Sequence, residues 1–246
     1  MKKIEFYSTV PGLPDLYPIV KAKDALPIWA KSARNSYVKK KNQTIGRMNH
    51  IYQCPGIFDL FNQGYIVPMW HDVIISTNGD PDSFTWTVPT SDLAELTPDV
   101  NIIENQSNGV GSTMPIKPWS LNTLLKVNTP WHVVAPRGVK LLILPIAYPD
   151  NFEFESSIGI LNPGYSNEIN LQLYYNVQKG DVLLKAGTPL AHIIPLSETN
   201  YDLVCREMNN IDKFWQAKKK YFRSATFKLK RNTIQDIYYK HFGRQK

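Results

Sequence analysis

The sequence predicts a mainly β protein of the α+β class, with an antiparallel core, an N-terminal helix and C-terminal amphipathic helices. Three observations carry this. The 246 residues include 18 prolines, 13 glycines and 13 tyrosines, which suits many short strands and turns better than a helical bundle. Between Ile51 and Leu196 the apolar residues alternate in short runs punctuated by Gly and Pro. Before and after that region they recur at helical spacing. A chain that is 43% hydrophobic can bury a real core, as one large domain or one domain with appendages.

Residues 1–50 read as a strand, "KKIEFYSTV", a proline-rich loop, and a basic helix packed on the core. In "KDALPIWAKSARNSYVKKKNQ" Asp24 is the expected N-cap and Pro27 falls in the first turn. Ile28, Trp29 and Ala33 begin an apolar stripe, lysines occupy the last turn, and Gly46 is the expected stop. Residues 51–197 form the β-rich core. "GYIVPMWHDVIIST" and "FTWTV" read as strands, and residues 91–119 as a long excursion without a sustained period. "LLKVNTPWHVVAPRGVKLLILP" gives two strands joined by the turn "APRG". "IGILNPGYSNEINLQLYYN" gives a second pair, and "VLLKAGTPLAHIIPLS" a third. Residues 198–246 read as a basic helical extension: Val204, Met208, Ile211, Trp215 and Phe222 share helical spacing, and Asn232 with Gln235 forms a capping-box pattern.

Charge is distributed in three blocks. Residues 1–50 carry ten Lys/Arg against three acids, and residues 198–246 twelve against five. Residues 51–197 carry six against thirteen, so the chain runs +7, −7, +7. The basic flanks therefore have an acidic surface to dock on, in their own chain or a neighbour, which argues against nucleic acid as the partner. No apolar run approaches the roughly 20 residues of a membrane span, and the N-terminus has no unbroken apolar region of the signal-peptide kind. Cys54 and Cys205 are far apart and are expected to be reduced core thiols of a cytoplasmic protein.

The hairpin "GILNPGYSNEINLQLYYN" places Gly159, Asn162, Tyr165, Asn167 and Glu168 in a register that resembles the nucleotide-binding hairpin of the dUTPase and dCTP deaminase family. "PRGVKLLILP" upstream and "VLLKAGTPLAHIIPL" downstream are similar to two more strands of that family, so the resemblance covers residues 130–197. It implies a β-clip fold, often trimeric, with a nucleotide on Gly159, Asn162, Tyr165, Glu168 and Gln172, and Mg²⁺ if the chain hydrolyses nucleotides. The chain departs from the pattern where the chemistry lies. The family's catalytic carboxylates fall on Asn162 and Gln172, and an amide accepts no proton at neutral pH. The loop expected to hold an Arg-Ser-Gly phosphate site, "LPIAYPDNF", has none of those residues. Asn162 is then expected to serve its own corner through a side-chain hydrogen bond.

A second resemblance, carried by "LPIWAKSARN", "CPGIFDLFNQGYIVPMWHD" and "TPWHVVAPRGVKLLILP", is to a group of tailed-phage, cyanophage-like proteins. It implies a setting in the infected host's cytoplasm and in the virion, with other virion proteins or further copies of the chain as partners.

Other chemistry finds little support. His71, His132 and His192 lack metal-ligand spacing and are expected to be hydrogen-bonded or surface histidines. Cys54 in "QCPG" is expected in a strand or turn, without the helix terminus that lowers a thiol pKa. In "KFWQAKKKYFRSATFKLKR" the residues Lys213, Lys218, Lys219, Lys220, Arg223, Lys228, Lys230 and Arg231 form a basic face. It is open to a partner or a phosphate, or simply to water while Trp215, Tyr221 and Phe222 pack inward. The expectation is a non-catalytic assembly protein that makes subunit contacts through its flanks, without cofactor or metal. The alternatives are a diverged nucleotide-binding or nucleotide-hydrolysing protein and an accessory protein acting on a host target.

Overall fold

The computed structural model describes residues 2–42, 49–89, 101–106, 114–225 and 231–243. Among them the chain is mainly β, with three sheets and a few helices. The largest sheet runs β14 (Asp202–Glu207), β1 (Lys3–Ser8), β7 (Leu125–Val134), β11 (Glu168–Tyr175) and β9 (Phe154–Ser156), and β6 (Ile103–Asn105) also pairs with β7. A second sheet runs β10 (Gly159–Leu161), β8 (Leu141–Leu144), β13 (Pro189–Pro195), β3 (Tyr65–Pro68) and β2 (Val20–Lys21). A third joins β12 (Lys179–Leu184), β4 (Val73–Asn78) and β5 (Thr85–Thr87).

Alternation explains how the first two sheets meet. On β1, Ile4 and Phe6 point into the main core with Val127, Trp131 and Val133 of β7, and Ile169, Leu171 and Leu173 of β11. Ile193 of β13 and Leu141 of β8 enter the same cluster from the second sheet. The intervening residues of β1 and β7 are buried as well: Tyr7 and Val134 form a second apolar cluster with Trp215, Tyr238 and Phe242. Those three belong to two C-terminal helices, α4 (Asn210–Ala225) and α5 (Arg231–Phe242), which cover the outer face of the large sheet. β1 is thus covered on both faces, and the one charged side chain of its buried stretch, Glu5, is paired with Arg206. No helix among the described residues is long and apolar enough to cross a membrane.

Several expectations change. Residues 202–207 are a strand and not the start of a helix: "DLVCRE" lies parallel to β1, from Lys3↔Asp202 to Ser8↔Glu207. The strand satisfies the free edge of β1, a long-range demand that outweighs the local helical spacing of Val204 and Met208. Both flanks therefore supply strands to the core sheet. Asp24 does not cap the N-terminal helix; it ends a 3-10 turn (Ala22–Asp24), and α2 (Ile28–Lys41) starts behind Pro27. Its first amide is capped from a distant loop, where the Asp150 carboxylate accepts from the Ile28 N–H at 2.8 Å. A short helix α1 (Leu13–Leu16) lies in the proline-rich loop. Gly46 lies outside the described residues, as does most of the 91–119 excursion. Cys54 stands at the N-terminal boundary of helix α3 (Pro55–Phe61). Both cysteines are unpaired and half-buried, and burial raises the pKa of the Cys205 thiol.

Candidate functional site

The sequence hairpin, residues 159–176, is the natural place to look for chemistry, but its two strands do not pair. β10 lies against β8 in the second sheet and β11 against β7 and β9 in the first, so the expected strand pair is instead a corner that crosses between sheets. Its corner is closed by backbone: the Asn162 carbonyl accepts from the N–H groups of Tyr165 and Ser166, both at 2.9 Å. The corner needs no help from the Asn162 side chain, and that side chain has no hydrogen-bond partner among the described residues. It is 9% exposed and lines a cavity of about 160 Å³ with Arg137, Gly138, Lys140, Gln235 and Tyr239. An arginine thus does reach the hairpin, from the "APRG" turn, whose Gly138 takes a positive φ of 85°. The loop "LPIAYPDNF" instead lines a separate cavity of about 320 Å³. Pro145, Phe152, Phe154 and the carboxylates of Asp150 and Glu155 surround it, with no Lys or Arg among its lining residues. Anionic phosphates find no counter-charge there.

Helix α5 closes over the corner. A Cβ on Gly164 would sit 2.7 Å from Cε2 and 2.9 Å from the hydroxyl of Tyr239. The bare Cα of Gly164 is what lets the ring approach. Tyr239 is further held by the Arg137 guanidinium 5.6 Å from its ring and by the edge of Tyr238 at 5.1 Å. The Gly138 N–H donates to its hydroxyl at 3.4 Å. An ion pair between Arg137 and Asp236 at 3.5 Å is exposed on both sides and contributes little.

Beyond the turn, the hairpin's acid is committed to helix α4. Glu168 begins β11 opposite His132 of β7. Its Oε1 lies 3.1 Å from Nζ of Lys219, which also donates to Oδ1 of Asn167 at 3.2 Å. Lys219 is only 5% exposed, so it does not face a partner or a phosphate as the basic-face expectation required. Nε2 of His132 lies 3.9 Å from the same Glu168 oxygen, and Tyr7 stacks on the imidazole at 5.0 Å. The Tyr7 hydroxyl accepts from the amides of Asn167 at 3.1 Å and Gln216 at 2.8 Å. Burial lowers the pKa of His132 to about 4, with Lys219 acting in the same direction against the pull of Glu168. Burial likewise holds the Tyr7 hydroxyl well above its ordinary pKa.

The network continues to the start of α4. Arg206 of β14 donates to Glu5 at 2.8 Å and forks onto Asp212 at 2.5 and 3.2 Å, its guanidinium 5.3 Å from the Tyr7 ring. Asp212 is fully buried and also accepts from the Asn209 N–H at 2.8 Å, while the Asn209 side chain caps the helix by accepting from the Ile211 and Asp212 N–H groups at 2.9 and 3.0 Å. Asp212, Trp215, Gln216 and Lys219 fall at i, i+3, i+4 and i+7, so the sheet-facing stripe of α4 is largely polar. The signal was in the sequence, but a stripe containing Asp and Lys reads as a solvent face unless its partners are known.

The remaining residues of the basic face divide. Lys213 and Lys220 are exposed, and Lys218 lies 3.1 Å from His241 of α5. Arg223 and Arg231 sit in helical backbone, and Lys228 and Lys230 lie outside the described residues. Trp215 is buried, as an inward-packing helix requires. In the hairpin, Gln172 accepts from the Ser157 hydroxyl at 3.3 Å, Gly159 has open space about its Cα, and Tyr165 is partly exposed. His71, His132 and His192 are buried, each within 3.3 Å of a backbone carbonyl. Among the described residues no group of three or more His, Cys, Asp or Glu is placed to hold a metal ion.

No protein-family model and no curated protein matches the chain. Among solved structures it is similar to a point mutant of the dUTPase from phage phi11 of S. aureus, at 11% identity and a TM-score of 0.32, over 65% of this chain and 87% of that one.

Proposed function

We propose that the chain is a non-catalytic phage assembly protein, a virion component that keeps a β-clip-like corner between two sheets for its shape. The ion pair between Glu168 and Lys219 carries this reading. The hairpin's carboxylate neutralises a buried lysine of its own chain, while amides occupy the other two positions where the family resemblance puts carboxylates, Asn162 and Gln172. Neither amide can take a proton from a water. Helix α5 covers the corner through Tyr239. What the hairpin does in this chain is anchor the two C-terminal helices. The tailed-phage resemblance supports the setting, and the partners are virion proteins or further copies of the chain. Mass spectrometry of purified virions is the test: the chain should be present in stoichiometric amount, and its absence would leave only an accessory role on a host target.

One observation favours a second reading, retained nucleotide binding. Asn162 presents an unpartnered amide to a cavity that also holds Arg137 and Lys140. Their charges suit one phosphate, with Mg²⁺ as its counter-ion if hydrolysis persists. Calorimetric titration with deoxynucleoside triphosphates tests it: saturable binding lost in Arg137→Ala supports it, and no heat overturns it.

A further inference from the structure

We infer that β10 is a self-association edge, through which two copies of this chain pair antiparallel about a two-fold axis. β10 is the outermost strand of its sheet, so one side of its backbone has no strand neighbour among the described residues. Such an edge offers unpaired N–H and C=O groups to another strand. Of the usual protections against strand addition β10 keeps its shortness, but charge and proline are missing. From Ser156 to Asn162 the chain reads "SSIGILN", with no charge and no proline. Gly159 has nothing within 4 Å of the place its Cβ would take, so no side chain stands over the face of the strand at that residue.

The face beside the edge is apolar where a solvent face should be polar. Ile158 and Ile160 are 69% and 60% exposed. Register extends Ile160 across the sheet: it faces Leu142 of β8, which faces Ile194 of β13. Leu142 and Ile194 are half-buried, and neither belongs to the core cluster that takes up their neighbours Leu141 and Ile193. The sheet thus carries a row of three aliphatic residues outward, with Ile158 beside it.

Charge selects the occupant. The chain has a net charge of +7, so most approaches of one copy to another are repelled. This neutral strand is a place where two copies can meet without like-charge contact, and an acidic partner would gain nothing from it. A two-fold contact sets the same surface against itself, which an uncharged aliphatic strand satisfies. With three residues in the strand the contact is weak alone, so pairing should rise with concentration.

The inference rests on the assembly reading for its biological role, and sedimentation equilibrium tests it separately. The weight-average mass of the full chain should climb from the monomer value towards twofold between micromolar and millimolar concentration. Ile160→Lys should hold it at the monomer value, while Ile28→Lys, at an equally exposed isoleucine, should leave the climb unchanged. As a readout that does not depend on a folded lysine variant, Ile160→Cys combined with Cys54→Ser and Cys205→Ser should oxidise to a covalent dimer. A wild-type monomer throughout, association that Ile28→Lys removes as well as Ile160→Lys, or an Ile160→Cys variant that stays monomeric under oxidation would each overturn the edge contact. A chain found in virions but monomeric overturns the edge alone, and a dimer absent from virions overturns the virion role alone.

Discussion

The ammonium of Lys219 sits 3.1 Å from the Glu168 carboxylate, although 51 residues separate them in the chain. Lys219 is almost fully buried, while Glu168 keeps about a third of its side chain in water. Truncating Lys219 removes the ammonium from the buried Asn167 side-chain carbonyl and from the Glu168 carboxylate, and breaking such a pair from one side is costly. With the screening at Glu168 discounted, Lys219→Ala is expected to destabilise by about 1–3 kcal/mol. Lys213→Ala, on the exposed side of the same helix, should stay within about 0.5 kcal/mol. Urea unfolding followed by tryptophan fluorescence separates the two.

Asp212 has no exposure and holds the Arg206 fork and the Asn209 amide at once. Asp212→Ala leaves a half-buried guanidinium short of its partner and the Asn209 N–H without its acceptor, while the Asn209 side chain still caps the helix. A loss of about 3 kcal/mol is expected. It should appear in limited proteolysis as early cleavage within residues 210–225, while the rest of the sheet stays protected.

Gly164 and Tyr239 form a steric pair. A methyl group on Gly164 would push the Tyr239 ring off the corner and away from Arg137. Gly164→Ala is expected to cost about 1 kcal/mol, and most of that cost should vanish in a Tyr239→Ala background. A double-mutant cycle measured by thermal unfolding reads the coupling.

The sequence made the central strands legible and the polar seam illegible, for related reasons. β7, β11 and β13 declare themselves by alternation, because one residue in two enters a single apolar core. β14 does not, because a parallel edge strand is dictated by its partner β1 at the other end of the chain. Asp150 as the cap of α2 is equally remote from the helix it serves. At the hairpin, Asn162, Glu168 and Gln172 could be named from the sequence, whereas Tyr7, His132, Arg206 and Asp212 could not. Their roles depend on which face of the sheet α4 covers. In sequence Lys219 is one of eight basic residues between positions 213 and 231, and only packing sets it apart.

His132 makes the sheet pH-sensitive. Its ordinary pKa of 6.5 is lowered to about 4 in the folded chain, so the unfolded chain binds the proton first as pH falls. Its contribution is fully present above pH 6.5 and is lost progressively down to about pH 4, by up to about 1.4 kcal/mol per pH unit. Urea midpoints of wild type and His132→Gln should therefore converge as pH falls through that window. A gap that stays constant would show that His132 is not the group responsible.

The most direct test of the central claim is turnover. The purified chain with Mg²⁺ and each deoxynucleoside triphosphate, dUTP and dCTP included, should release neither pyrophosphate nor ammonia above the protein-free rate. Turnover that Asn162→Ala abolishes would contradict the account, because it would mean that the hairpin still carries chemistry while Glu168 is held by Lys219.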